Sequence, residues 1–216
     1  MTHSLHRRGT LESLKRDFLV LSCSAKGYND HVFAERCRQF LRICLKHNPV
    51  NLGDMKTGNI LDLDPRSIIA KVQDTTIVQA VFRHRQDVVE VIRELKEADL
   101  GISVVISGLH EEVDAIVEEA GLERVHTREY SLGTHGRLEL LPADDIMEFT
   151  TMCGHAMVAA ELVRQMIGKV RLGSLSAREA AVTMAKCCSC GNFNVPRAEE
   201  LLQRVAPRWL VDYPVY

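Results

Sequence analysis

Long hydrophobic runs are missing from this 216-residue sequence. Stretches such as 18–21 ("FLVL") and 104–106 ("VVI") stop far short of the roughly 20 apolar residues a membrane-spanning helix needs, so no membrane span is expected. An excess of charge of one sign is missing too. The 27 basic residues face 29 acidic ones, for a net charge of −2. No long-range field favours nucleic acid or an anionic membrane. The opening "MTHSLHRRGT" lacks the apolar core of a secretory signal, which points to a cytoplasmic protein. No repeat at solenoid spacing and no low-complexity segment occurs. Tryptophan is nearly absent: Trp209 stands in a tail, "APRWLVDYPVY", that is expected to dock on the body or on another subunit of a homo-oligomer. What remains is 46% hydrophobic and 26% charged. That is an ordinary globular composition, in a chain long enough for one sizeable core or a domain with an appendage.

The hydrophobic period alternates between that of strands and that of helices. Residues 17–25 read as a strand. Val32, Phe33, Cys37, Phe40, Leu41 and Cys44 then follow helical spacing, which places Cys37 and Cys44 on an apolar stripe as core residues. Residues 48–59 ("NPVNLGDMKTGN") read as a polar loop and 66–72 as a short helix. Residues 75–82, rich in β-branched side chains, read as a strand, and 86–99 as a helix. Residues 101–107 look like a strand buried on both faces, 109–121 like a helix ending at Gly121, and 123–133 like a further alternating strand. This order predicts an α/β (or α+β) domain over residues 1–149: a mixed or parallel sheet with packed helices and ferredoxin-like strand–helix–strand units. Residues 150–216 form a helical, cysteine-bearing segment. Within it "SARE" at 176–179 is a capping box, and Asn194 with Pro196 opens the last helix.

The seven cysteines are an odd number in a chain with no secretory signal, which argues against a disulfide framework. Four of them fall in two short stretches, "TTMCGH" and "CCSCG". Cys153 stands where a polar stretch passes into the helical spacing of Val158, Leu162, Met166 and Val170. It is therefore expected at a helix start, where free amides stabilise a thiolate. Cys187 and Cys190 have the CxxC spacing that binds one metal ion or iron–sulfur cluster, or cycles as a dithiol. A helical hairpin turning at Gly173 would bring residue 153 near residue 190. The expected metal ligands are Cys153, Cys187 and Cys190, with Cys188 or His155 as the fourth, and the metal is zinc or an iron–sulfur cluster.

"MCGH" at 152–155 resembles the cysteine motif of the proline racemase and diaminopimelate epimerase group, in which the thiol removes a proton alpha to a carboxylate. The match covers four residues. That family places two such cysteines in two similar halves, and this sequence holds one copy, so no residue role is taken from it.

Other polar stretches suggest a small-molecule ligand. Lys56, in a loop without the GxxxxGK[ST] phosphate-loop spacing, could supply charge to a small acidic metabolite. His126, His135 and Arg137 lie on and after the strand expected at 123–133, in the part of an α/β protein that often meets ligand. His126 is a candidate base because histidine titrates near neutrality. Lys26 and Asn29 follow the first strand, and residues 3–9 form a basic arm suited to a phosphate or carboxylate. Three functions fit these features. The first is a metal- or iron–sulfur-binding protein acting on a small acidic metabolite. The second is a metal-free thiol enzyme with Cys153 as nucleophile or base and His155 or His126 as its partner. The third is a small-ligand-binding regulatory module with structural cysteines.

Overall fold

The computed structural model describes residues 7–209. The expected docking tail beyond Trp209 and residues 3–6 of the basic arm lie outside the described residues. The sheet has five strands: β1 (Phe18–Cys23), β2 (Asn51–Asp54), β3 (Gly58–Asn59), β4 (Ile77–Phe82) and β5 (Val105–Ser107). Their order is β3-β2-β4-β1-β5. Every pairing is antiparallel, with Phe18 opposite Phe82 and Leu19 opposite Ser107. The fold is therefore α+β, and the expected parallel or mixed sheet is corrected. Strands β1, β2, β4 and β5, with α2 (Phe33–Lys46) following β1 and α4 (Arg85–Ala98) following β4, give the connectivity of a ferredoxin-like split βαβ layer.

Side-chain alternation gives the sheet two faces. Phe18, Val20, Leu52, Val78, Ala80 and Phe82 join Phe33, Phe40 and Leu41 of α2 and Val88, Val89 and Ile92 of α4 in one core. Cys37 and Cys44 are fully buried in it, as their spacing predicts. Helix α3 (Pro65–Lys71) starts on an Asp64 carboxylate that accepts from the Arg66 amide at 2.8 Å. It closes the same face with Ile68 and Ile69.

Three expectations fail locally. The polar loop at 48–59 contains β2 and β3, because Asn51 and Asp54 are buried on hydrogen bonds rather than on apolar contacts. The strand expected to be buried on both faces is β5, a half-buried strand at the sheet margin. The strand expected at 123–133 is irregular, although α5 (His110–Glu119) precedes it as foreseen. Its apolar members find no core: Tyr130 is 65% and Leu132 is 91% exposed.

The second face of β1 and β4 carries Leu19, Leu21, Val81 and the buried amide of Gln79. Residues of the helical segment lie against this face. That segment comprises α6 (Asp144–Cys153), α7 (Ala160–Arg171), α8 (Ala177–Ala185) and α9 (Val195–Val205). Ile146, Phe149, Met152, Val163, Met166, Met184 and Leu202 make its own core. The α8 capping box forms as expected, with Ser176 and Glu179 serving each other's amides. Gly173, at φ +71°, makes the turn between α7 and α8. The first helix, α1 (Leu11–Leu14), belongs to an N-terminal strap bound to α9. The Arg197 guanidinium donates to Ser13 Oγ at 2.9 Å, Asp17 Oδ2 at 2.6 Å and Arg8 O at 2.5 Å. Asn194 caps α9 through the Arg197 amide and donates to Asp17 at 2.9 Å. Burial alone would raise the Asp17 carboxyl, but the Arg7 and Arg197 charges and the Asn194 bond outweigh it and hold it below its ordinary value.

Candidate metal–thiolate site

The turn between α8 and α9 lies on the sheet with its carbonyls tied outward. Asn59 Nδ2 donates to Cys188 O at 3.2 Å and Ser189 O at 3.0 Å. Gln79 Nε2 donates to Cys190 O at 2.5 Å, and Asn51 Nδ2 to Phe193 O at 3.3 Å. Arg7 Nη2 donates to Asn192 O at 2.7 Å. These donors come from β2, β3, β4 and the N-terminal strap. Gly191, at φ +85°, lets the chain reverse and approach within 3.2 Å of the Gly53 amide, measured from the position a Cβ would take. With its carbonyls held by the sheet, the turn presents the Asn192 N–H to the sulfurs of Cys188 and Cys190.

Three thiols and one imidazole meet at this turn. Cys188 Sγ and Cys190 Sγ are 3.7 Å apart. Cys190 Sγ and His155 Nδ1 are 3.5 Å apart. Cys153 bonds to Cys188. Cys153, Cys188 and Cys190 are buried, whereas His155 is exposed. The helical segment brings Cys153 to Cys188 and His155 to Cys190, each across 35 positions of sequence.

The location of Cys153 is corrected. It is the last residue of α6, followed by Gly154 at φ +73°, and not the first residue of a helix. A helix C-terminus presents carbonyls, which disfavour a thiolate. The hydrogen bond to Cys188, then burial, push the Cys153 thiol up, against the opposing pull of the His155 and Met157 amides. At Cys188 the bond from Cys153 pulls downward, but the bond to Cys190 and burial outweigh it, and the thiol is pushed up to about 12. Cys190 is held below its ordinary value by the Cys188 bond, against burial and with help from the Asn192 amide. The proton is thus held least tightly at Cys190, and Cys153 is the least suited of the three to act alone as nucleophile or base.

The remaining candidates disperse. Cys187 is half-buried and packs on the helical core, so the near pair is Cys188 with Cys190 and not the CxxC pair. His126 is exposed in the irregular segment after α5. Lys56 sits on the β2–β3 turn, where its ammonium donates to Thr75 Oγ1 at 2.5 Å. Arg137 is exposed and pairs with Glu139 at 3.0 Å. Asn29 closes a local turn through the Ala25 amide at 2.8 Å and reaches Gly101 O at 3.1 Å. His135 lines a cavity with Arg7 and Arg8. Sequence reasoning missed the three amides Asn51, Asn59 and Gln79. Their only signal was the density of amide and glycine residues at 51–59.

Among the described residues no group of three or more His, Cys, Asp or Glu side chains is arranged so that it could hold a metal ion. The side-chain nitrogen and oxygen of Asn192, one residue beyond Gly191, are both buried without a hydrogen bond. The chain matches no family model, no curated protein and no solved structure in comparison with known proteins.

Proposed function

We propose that the protein binds one tetrahedrally coordinated metal ion, zinc by preference, through Cys153, Cys188, Cys190 and His155. One observation carries this reading, the match of two contacts to the edges of such a tetrahedron. Zn–S bonds of about 2.3 Å and a Zn–N bond of about 2.05 Å give S···S edges of about 3.8 Å and S···N edges of about 3.6 Å. The Cys188–Cys190 and Cys190–His155 separations are 3.7 Å and 3.5 Å. A four-iron cluster gives each cysteine a different iron and needs its sulfurs farther apart, so a single ion fits these contacts better. The donor set suits a soft, borderline cation, and the Asn192 amide is placed to support the thiolate charge.

Such a centre would tie the α6–α7 corner to the α8–α9 turn and so add to folding stability. The free state of all seven thiols fits a reducing, cytoplasmic setting, and among the described residues no helix is long and apolar enough to cross a membrane. A second reading, a redox pair of Cys188 and Cys190, draws on their proximity and on the lowered Cys190 thiol.

Metal analysis of protein purified without oxygen from zinc- and iron-replete cultures tests the proposal. One zinc per chain is expected, with tetrahedral thiolate bands after cobalt exchange. Cys153→Ser, Cys188→Ser and Cys190→Ser should each lose the ion, His155→Ala should weaken it, and Cys187→Ser should retain it. Metal-free protein, or equal loss in Cys187→Ser, defeats the reading. A brown protein holding sulfide would replace the single ion by a cluster. A reversible Cys188–Cys190 disulfide in metal-free protein would favour the redox pair.

A further inference from the structure

A cavity of about 450 Å³ opens between the N-terminal strap, the loop at 131–135 and α6. That volume is within the range of small-molecule sites. Its lining contains two arginines, Arg7 and Arg8, and no carboxylate. Hydroxyls hold Arg8 in place. Its backbone amide donates to Thr151 Oγ1 at 3.0 Å, its guanidinium donates to Thr134 Oγ1 at 2.9 Å, and the Thr151 hydroxyl in turn donates to Met147 O at 2.6 Å. Among the described residues the acid paired with Arg8 is Asp144, at 3.6 Å and 84% exposed, a water-screened partner.

Arg7 supplies buried charge at the base. Its side chain is 7% exposed, touches Asp17, and has a buried Nε without a hydrogen bond. Asp17 is shared with Arg197, and Glu148 is paired with Arg204 at 2.6 Å. Among the described residues, Arg7, Arg197 and Arg204 thus meet two carboxylates, Asp17 and Glu148, an excess of one positive charge. Desolvated unpaired charge is costly, and an anion entering the cavity would relieve it. Planar guanidinium forks match carboxylate and phosphate oxygens alike. Leu141 and Met147 add apolar surface to the lining.

We propose that this cavity binds a small organic anion, a carboxylate or phosphate on a short carbon skeleton, with Arg7 and Arg8 holding the charged group and Leu141 and Met147 the carbon chain. The site does not depend on the metal reading, since no thiol or His155 lines it. It adjoins the thiol turn through Arg7, which donates to Asn192 O.

Calorimetric titration of the full chain, as purified and after chelator treatment, with hexanoate, hexyl phosphate, inorganic phosphate and hexanol tests the proposal. Saturable 1:1 binding of hexanoate or hexyl phosphate is expected in both preparations. It should be at least tenfold tighter than that of inorganic phosphate or hexanol, and the tighter of the two anions identifies the headgroup. Arg8→Ala should weaken binding at least tenfold. Arg16→Ala, which removes a half-exposed guanidinium paired with Glu200 elsewhere, should leave it unchanged. Should Arg8→Ala lower the melting temperature, Arg8→Lys and Thr134→Ala serve in its place, and each should weaken binding in folded protein. No saturable binding of either six-carbon anion, equal losses in the Arg8 and Arg16 variants, or inorganic phosphate binding as tightly as hexyl phosphate would overturn the proposal.

Discussion

Replacing Gly53 by alanine tests whether the cysteine turn is seated on the sheet. A Cβ on Gly53 would lie 2.6 Å from Gly58 O, 2.8 Å from Cys190 O and 2.9 Å from Asn59 Cβ. Two of these neighbours are backbone oxygens, and none is the free end of a flexible side chain. Either the β2–β3 hairpin opens or the turn lifts. Overpacking at a rigid site costs about 1–3 kcal/mol. Lifting the turn also stretches the Gln79–Cys190 and Asn59–Cys188 bonds, at about 1 kcal/mol each. Because the two routes are alternatives, the cheaper sets the cost, and the expected loss is about 1–3 kcal/mol in urea unfolding at fixed metal content. Gly101→Ala is the matched control. Gly101 is at φ +64° with nothing within 4 Å of its would-be Cβ, so it pays only the left-handed strain of about 1–2 kcal/mol. A second readout follows the sulfur. Cys190 is 3% exposed, and a lifted turn should label it faster with a thiol reagent in native protein. Gly53→Ala within about 0.5 kcal/mol of wild type, together with Cys190 labelling at an unchanged rate, would refute this seating.

Acid should weaken the strap through Asp17. Its folded pKa is depressed, so its contribution is fully present above the unfolded value of about 3.9 and is lost as pH falls through the folded value. Asp17→Asn should flatten that part of the pH–stability curve, and an unchanged acid slope in urea titrations would speak against it. Arg197→Met, which leaves Asp17 buried with one partner fewer, should cost about 3–5 kcal/mol, and a loss below about 1 kcal/mol would show the cluster to be solvated. Ser176→Ala should cost about 0.5–2 kcal/mol by removing the capping box of α8, as thermal melts would show, and a neutral result would mean that this end is held by packing alone. Cys37 and Cys44, whose thiols burial pushes up, should stay unlabelled until the chain unfolds. Mass-spectrometric labelling of Cys44 as fast as the half-buried Cys23 would contradict the packing of α2.

Elements with a self-contained hydrophobic period were legible in the sequence: α2, α4, α5, α8 and α9, together with β1 and β4. The caps at Ser176 and Asn194 were legible because a cap is a local bond between a side chain and the next amides. Strand direction was not legible, since alternation is the same in parallel and antiparallel strands. The antiparallel order depends on β2, a short strand of polar and glycine residues that no hydrophobic period could reveal. The same blindness hid the floor of the candidate site. Asn51, Asn59 and Gln79 are buried because each amide finds a carbonyl of the cysteine turn, and that partnership exists only once two distant parts of the chain have packed. Cys153 was misplaced for a related reason. Helical spacing after it was visible, but α6 before it begins at Asp144 with two acids in its first turn, a start signal passed over because the cysteine itself drew the boundary. With Cys153 at the end of α6 rather than at a helix start, its bond to Cys188 and its burial outweigh the His155 and Met157 amides and hold the proton on. The thiol held below its ordinary value, Cys190, then belongs to the α8–α9 turn, and that turn is held by strand side chains rather than by the helices that flank it. The sheet and the helical segment are for this reason tied together at the cysteine turn, even though each has its own hydrophobic core.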